Sequence, residues 1–233
     1  MFDVIILAGG LGTRLRSVVS DVPKCMAPVG GRPFLAWTLQ WLERFDVGHI
    51  ILSLGYMSQV VIDWIQKEYK GKTPVDWVIE ETPLGTGGGI KLAMSKVRSS
   101  RAVILNGDTF FNVDLDSFHS FSSKLNAPLT VALKPMADFD RYGSVTLSDD
   151  NRIVSFNEKM HCDKGLINGG IYCIDSSAAL FDSMPDKFSF EKEILEPMSV
   201  KGVITGYISD GSFIDIGIPQ DYDTAQAFLP ANL

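Results

Sequence analysis

Gly9, Gly10 and Gly12, followed by Arg14 and Lys24, stand directly after the apolar run of residues 4–8. A strand that runs into glycines bares backbone N–H groups, because no Cβ holds another molecule away from the main chain. A guanidinium and an ammonium beside such a nest suit a polyphosphate, the first as a planar fork and the second as a point charge. The glycines alone could be an ordinary turn; the two cations beside them favour phosphate. Two better-known phosphate loops do not fit. The dinucleotide fingerprint counted from Gly10 finds Gly12 but then Leu15 in place of its third glycine, and counted from Gly9 it fails at Leu11 and Arg14. The Walker pattern finds its nearest match at Gly71-Lys72-Thr73, which lacks the earlier glycine and reads as a polar turn between a helix and a strand.

The elements around this loop alternate. Residues 2–8 read as a buried strand, 33–45 as a helix with Pro33 at its first position, and 50–54 as a strand. Residues 60–69 follow as a helix, 76–79 as a strand, 88–97 as a helix and 102–105 as a buried strand. This pattern predicts an α/β fold: doubly wound, a mostly parallel mixed sheet with helices on both faces. Residues 115–125 read as a helix with its serines outward. Strands are expected over 129–134, 143–147, 153–157 and 170–174, short helices over 177–182 and 190–197, a strand over 203–208 and a closing helix over 219–228. In open α/β sheets ligands bind beyond the carboxyl ends of the strands. The glycine loop, the Asn106-Gly107-Asp108 turn and the Asp215 turn each follow a strand, so all three can converge on one cleft.

With 45% hydrophobic and 21% charged residues in 233, the chain can bury a sizeable core and is not a disordered segment. The net charge of −7 disfavours a nucleic-acid partner. No apolar run approaches the roughly 20 residues of a membrane span, and the N-terminus has no basic region before its apolar stretch. Cys25, Cys162 and Cys173 form no C-x-x-C pair and cannot all be bridged, which fits a reducing cytoplasm. Arg14, Arg16, Lys24 and Arg32 face only Asp3 and Asp21 in the first 32 residues. A local positive patch in an acidic chain suits a small anion in a cleft.

Leu7-Ala8-Gly9-Gly10-x-Gly12-Thr13-Arg14-Leu15 followed by Pro23-Lys24-x-Met26-x-Pro28 resembles the signature of the sugar-1-phosphate nucleotidyltransferases, or nucleotide-sugar pyrophosphorylases. Pro83-Leu84-Gly85-Thr86-Gly87-Gly88, Asn106-Gly107-Asp108, Glu158-Lys159, Asn168-Gly169-Gly170 and Asp215-Ile216-Gly217 agree with it in order over nearly the whole chain. Residues 106–111, 139–143 and 166–172 look most like the branch of guanylyltransferases acting on D-glycero-α-D-manno-heptose 1-phosphate. The resemblance implies a Rossmann-like nucleotidyltransferase fold in one domain, residues 1–233. Residues 1–112 would form its nucleotide-binding half and 113–233 its sugar-phosphate-binding half.

The implied reaction joins a sugar 1-phosphate to the α-phosphorus of GTP and releases pyrophosphate. The nucleophile is already an anion, so positioning and charge neutralisation suffice and no general base is needed. By the same resemblance, Gly9, Gly10, Gly12 and Thr13 cradle the triphosphate with Leu7 and Ala8, Arg14 holds the leaving phosphates, and Lys24 serves the phosphates at the reacting centre. Asp108 and Asp215 would hold Mg²⁺, which takes one or two carboxylates together with phosphate oxygens and water. A turn or capping role for Asp108 and a buried structural partner for Asp215 stay open beside that. Glu80, with Glu81 close behind, would accept from the guanine N1–H and 2-amino group, although uracil also offers an N–H donor. A solvated pair of carboxylates is the other reading. Pro83, Gly85, Thr86, Asn106 and Gly107 would complete the nucleotide site. The sugar phosphate falls to Tyr142, Gly143, Glu158, Lys159, Asn168, Gly169 and Gly170. Ile218 stands where the family often has Thr, which removes one hydroxyl near the metal pair. The rival readings are UTP with an amino-sugar or muramate phosphate, GTP with mannose 1-phosphate, and a catalytically silent sugar-nucleotide sensor. Assembly is left open, with a homodimer among the options.

Overall fold

Val4, Ile5 and Ile6 are fully buried, and their alternation builds two separate cores on opposite faces of one sheet. The computed structural model describes residues 1–10, 15, 19 and 21–233. The first half runs β1 (Phe2–Leu7), β2 (Pro28–Val29), β3 (Arg32–Pro33), α1 (Phe34–Leu42), β4 (Val47–Leu54), α2 (Ser58–Glu68), β5 (Val75–Ile79), α3 (Gly85–Met94) and β6 (Arg101–Asn106). The second runs β7 (Thr109–Phe111), α4 (Leu115–Lys124), β8 (Leu129–Phe139), β9 (Gly143–Leu147), β10 (Ile153–Lys159), β11 (Cys162–Asp175), α5 (Glu196–Val200), β12 (Ile204–Ile208), β13 (Phe213–Asp215) and α6 (Pro219–Asn232). A 3-10 turn covers Lys24–Met26, and a π-helical turn, Glu191–Leu195, leads into α5.

Among the described residues nine strands form one mixed sheet, ordered β10-β9-β11-β6-β1-β4-β5, with β8 and β12 added beside β11. β6, β1, β4 and β5 are mutually parallel, so their carboxyl ends lie along one edge. Side chains alternate between faces along a strand. Val4 and Ile6 therefore pack with Leu35, Leu39, Val61, Ile65, Phe118 and Leu229 of α1, α2, α4 and α6. Ile5 joins Ile51 and Ile104 under Ile90 and Ala93 of α3 and under Ile194 and Leu195. Helices on both faces explain why β1 is apolar from Val4 to Leu7 rather than alternating.

The C-terminal half is antiparallel around the long strand β11. Only residues 170–174 read as a strand in the sequence, yet β11 begins eight residues earlier. Its first part pairs with β8 and β9, its last part with β8 and β6, and the register shifts between Asn168 and Tyr172. Gly170 at φ +73° makes that step; a Cβ there would lie 2.7 Å from the Asn106 side-chain amide. Local chemistry starts the helices. Asp114 caps α4 by accepting from Ser117 N at 2.9 Å, and Pro219 opens α6.

Three expectations change. Residues 177–182 form turns rather than a helix, and α3 begins at Gly85 rather than residue 88. The serines of α4 do not all face outward: Ser122 is buried and bonds to Arg101 and Thr130. Arg101, itself buried, needs Ser122 Oγ and Ala127 O as acceptors together with Asp175 at 2.9 Å.

Candidate active site

The carboxyl ends of β1, β4, β5 and β6 are stitched together by backbone bonds. Ala8 N donates to Ser53 O at 2.8 Å, Gly107 N to Leu7 O at 3.0 Å and Glu80 N to Leu54 O at 2.8 Å. A cavity of about 500 Å³ opens beyond them. Leu7, Ala8, Gly9 and Gly10 line it from β1, Lys24 and Cys25 from the 3-10 turn, and Asn106, Gly107 and Asp108 from the end of β6. Ser53, Glu80, Pro83, Gly85, Thr86 and Glu191 form the rest of the wall. Gly12, Thr13 and Arg14, singled out above, lie outside the described residues.

At one end Lys24 Nζ donates to Asp108 Oδ2 at 2.5 Å. The ammonium arm keeps 11% of its surface and the carboxylate 34%, so this pair is partly shielded from water. Asp215 reaches the same end through a short strand. β13 pairs antiparallel with β7, Asp215 opposite Thr109, and Ile216 N donates to Asp108 O at 3.0 Å. Asp215 Oδ1 accepts from Gly217 N at 2.7 Å. Cys25 lies beneath; burial, with a smaller contribution from the Asp108 charge, pushes its thiol up from 9.0 to about 12.

At the other end Glu80 Oε2 accepts from Leu84 N at 3.0 Å and Oε1 from Ser53 Oγ at 3.4 Å. Its carboxylate lies over the backbone of Gly9 and Gly89. Glu81 is exposed and is not part of the cavity wall. Gly85, at φ +76°, turns the chain into α3 where a Cβ would meet Phe188 O at 2.5 Å. The 186–191 segment therefore packs directly on the helix start, with Gly87 N donating to Phe188 O at 3.1 Å. Through it arrives Glu191, which the sequence reading did not single out. Its Oε2 accepts from Thr86 Oγ1 at 2.6 Å and from Ser189 Oγ at 2.8 Å. Ser189 Oγ accepts from Lys192 N and Glu193 accepts from Ser189 N, which braces the start of this turn, but Lys192 stands where a capping box would have Glu or Gln, so the sequence carried no clear signal. Ser53 was missed as well.

The residues expected at the sugar phosphate do not line this cavity; some adjoin it. Gly169 packs on Phe111, and Gly170 on Asn106. Asn168 spans the bulge, donating to Tyr172 Oη at 3.0 Å and accepting from Gly170 N at 2.9 Å. Tyr172 is buried, and burial together with the Glu191 charge raises its hydroxyl well above the usual phenol range. Tyr142, at the tip before β9, packs edge-on against Phe213 at 5.8 Å, two residues before Asp215 on β13. Gly143 is the register partner of Lys159, and Glu158 and Lys159 are exposed at the end of β10.

The pattern of one protein family, the nucleotidyl transferases, matches residues 3–232. A D-glycero-alpha-D-manno-heptose 1-phosphate guanylyltransferase from Aneurinibacillus thermoaerophilus is 44% identical over 227 residues, 97% of this chain and 98% of that one. The protein of the same name from Campylobacter jejuni is 42% identical over 94% of this chain and 96% of its own length. The crystal structure of HddC from Yersinia pseudotuberculosis complexed with GMP-PN superposes with a TM-score of 0.87 at 41% identity, covering 97% of this chain and 98% of that one. No helix among the described residues is long and apolar enough to cross a membrane.

Proposed function

For a chain that belongs to the nucleotidyl transferase family, we propose the transfer of GMP from GTP to D-glycero-α-D-manno-heptose 1-phosphate, giving GDP-heptose and pyrophosphate. One observation carries the chemistry. A single cavity gathers the Gly9-Gly10 backbone, the Lys24 ammonium, the Asp108 carboxylate and the Glu80 carboxylate from four separate stretches of chain. The choice of GTP and heptose draws support from the two relatives of that name, similar over nearly their full length, and from the GMP-PN complex of HddC.

In this reading a phosphate oxygen of the sugar 1-phosphate forms a new bond to the α-phosphorus of GTP. The bond from that phosphorus to the bridging oxygen breaks, and pyrophosphate leaves with the electron pair. Lys24 neutralises charge at the reacting phosphates, and the Gly9 and Gly10 N–H groups hold the leaving chain in line. Glu80 offers two acceptor oxygens at the base end, matching the adjacent N1–H and 2-amino donors of guanine. Gly170 adjoins Asn106, and with Asn168 and Gly169 it would receive the sugar phosphate together with Tyr142, Gly143, Glu158 and Lys159. Asp108 and Asp215 suit Mg²⁺, since two carboxylates, one from the turn before β7 and one from β13 that pairs with it, leave room for phosphate oxygens and water. When bound, that ion would neutralise charge on the phosphates during the transfer. Purified protein incubated with each NTP and a panel of sugar 1-phosphates tests the assignment. GTP with the heptose 1-phosphate is expected to release pyrophosphate fastest, and faster release with UTP or with mannose 1-phosphate overturns the substrate choice.

A further inference from the structure

The two aspartates read above as metal ligands already face a cation that belongs to the chain. Lys24 Nζ lies 2.5 Å from Asp108 Oδ2. One small gap, marked by the place a side chain at Gly217 would put its first carbon, is 2.8 Å from Lys24 Nζ and 2.6 Å from Asp215 Oδ1. The ammonium and the second carboxylate thus both border that gap. Any side chain at position 217 would strike both, which gives the Asp-x-Gly string a physical reason.

We propose that Lys24 is a latch on the metal site. In the ligand-free chain its ammonium takes the Asp108 carboxylate that a divalent cation needs, and nucleotide phosphates release it. The proposal rests on the reading of Asp108 and Asp215 as the metal pair. A carboxylate oxygen held this closely by an ammonium is closed to an ion that binds oxygen at about 2.1 Å, because two cations would crowd one acceptor. Asp108 is anchored: its carbonyl accepts from Ile216 N, and it lies in the two-residue turn between β6 and β7. Lys24 can move, being a point charge on a four-carbon stem with three rotatable donors. Its arm is nevertheless mostly shielded, so leaving Asp108 for empty space would strand a charge in poor solvent. Another anion must take it over, and the phosphates expected at Gly9 and Gly10 lie on the same cavity wall. Nucleotide and metal then bind cooperatively, each tightening the other by one common factor, typically ~5–150-fold for linked sites. A permanent structural pair, in which Lys24 merely orients Asp108, predicts the opposite: removing Lys24 would weaken metal binding or leave it alone.

Mn²⁺ titrations followed by electron paramagnetic resonance separate these cases without reading turnover. In the absence of nucleotide, Lys24→Ala and Lys24→Met, checked for folding by circular dichroism, are expected to bind Mn²⁺ about tenfold or more tightly than the parent. A non-hydrolysable GTP analogue should strengthen Mn²⁺ binding to the parent and narrow that difference. Adding Asp215→Asn or Asp108→Asn to Lys24→Ala should abolish the gain. Equal or weaker Mn²⁺ binding by both lysine variants overturns the latch, while the metal pair stands if Asp215→Asn still weakens Mn²⁺ in the analogue complex. If neither aspartate change affects Mn²⁺ in that complex, the metal reading falls and the latch with it.

Discussion

The carboxylates that line one cavity are held in opposite ways. Asp108 meets an ammonium at 2.5 Å, with Asp215 nearby accepting from Gly217 N at 2.7 Å. Glu80 and Glu191, among the described residues, are held by N–H and O–H groups: Leu84 N and Ser53 for one, Thr86 and Ser189 for the other. A carboxylate paired with a cation can exchange it for another cation. One braced by neutral donors keeps its charge and its remaining lone pairs for a ligand's N–H or O–H groups. By their partners, not their type, Asp108 thus differs from Glu80 and Glu191, and in the proposed reading that difference separates a charge-handling end from a reading end.

The division is broken or sharpened by substitution. Lys24→Ala and Asp108→Asn should lower kcat about 10²- to 10³-fold in variants that keep the parent's circular dichroism, the scale of losing a preorganised electrostatic contact. Pyrophosphate release measures this, and turnover within a few-fold of the parent would erase the distinction between the two ends. Glu80→Gln should act on selectivity. The amide turns one acceptor into a donor facing guanine, so kcat/KM for GTP should fall about ten- to a hundredfold and the GTP-to-UTP ratio with it. A ratio that holds steady means Glu80 only braces Leu84. Glu191→Gln keeps the shape and weakens the charge-assisted bond to Thr86, at a cost of about fivefold in kcat/KM, carried by KM. A loss in kcat as large as that of Asp108→Asn would move Glu191 to the charge-handling end.

The smallest effect at neutral pH concerns the thiol under Asp108. Cys25 is raised from 9.0 to about 12 by burial first and by the Asp108 charge as a lesser cause. The unfolded chain loses this proton before the folded one does. The stabilisation is complete below about pH 9 and is lost as pH rises through about 12. Thermal melts of the parent should therefore fall more steeply between pH 8 and 11 than those of Cys25→Ala, with no difference in slope below pH 8.

Most of the frame was legible because it depends on short-range pattern. The apolar runs of β1 and β6 announce strands covered on both faces, and their alternation with amphipathic segments announces a wound sheet. Glycine strings mark the turns at the carboxyl edge. What stayed hidden has one feature in common: it is made by pairing across long stretches of chain. β13 is three residues long, too short for any periodicity, yet its register against β7 is what sets Asp215 beside Asp108. β11 looked like a five-residue strand because its first part, Cys162 to Asn168, is largely polar or glycine and is stabilised by β8 and β9 rather than by burial. Glu191 joins the wall only because the 186–191 segment docks on Gly85 and Gly87, about a hundred residues away.

The order of residues by itself determined the family and the α/β alternation, since both are written in local composition and spacing, and it named candidate groups for phosphate, base and metal. Tertiary structure alone decided that Glu80 rather than Glu81 enters the cavity, that Glu191 joins it, and that Lys24 rests on Asp108. Those outcomes turn on which face a strand end presents and on distances of a few ångströms, and such quantities exist only once the sheet has closed and its edges have found their partners.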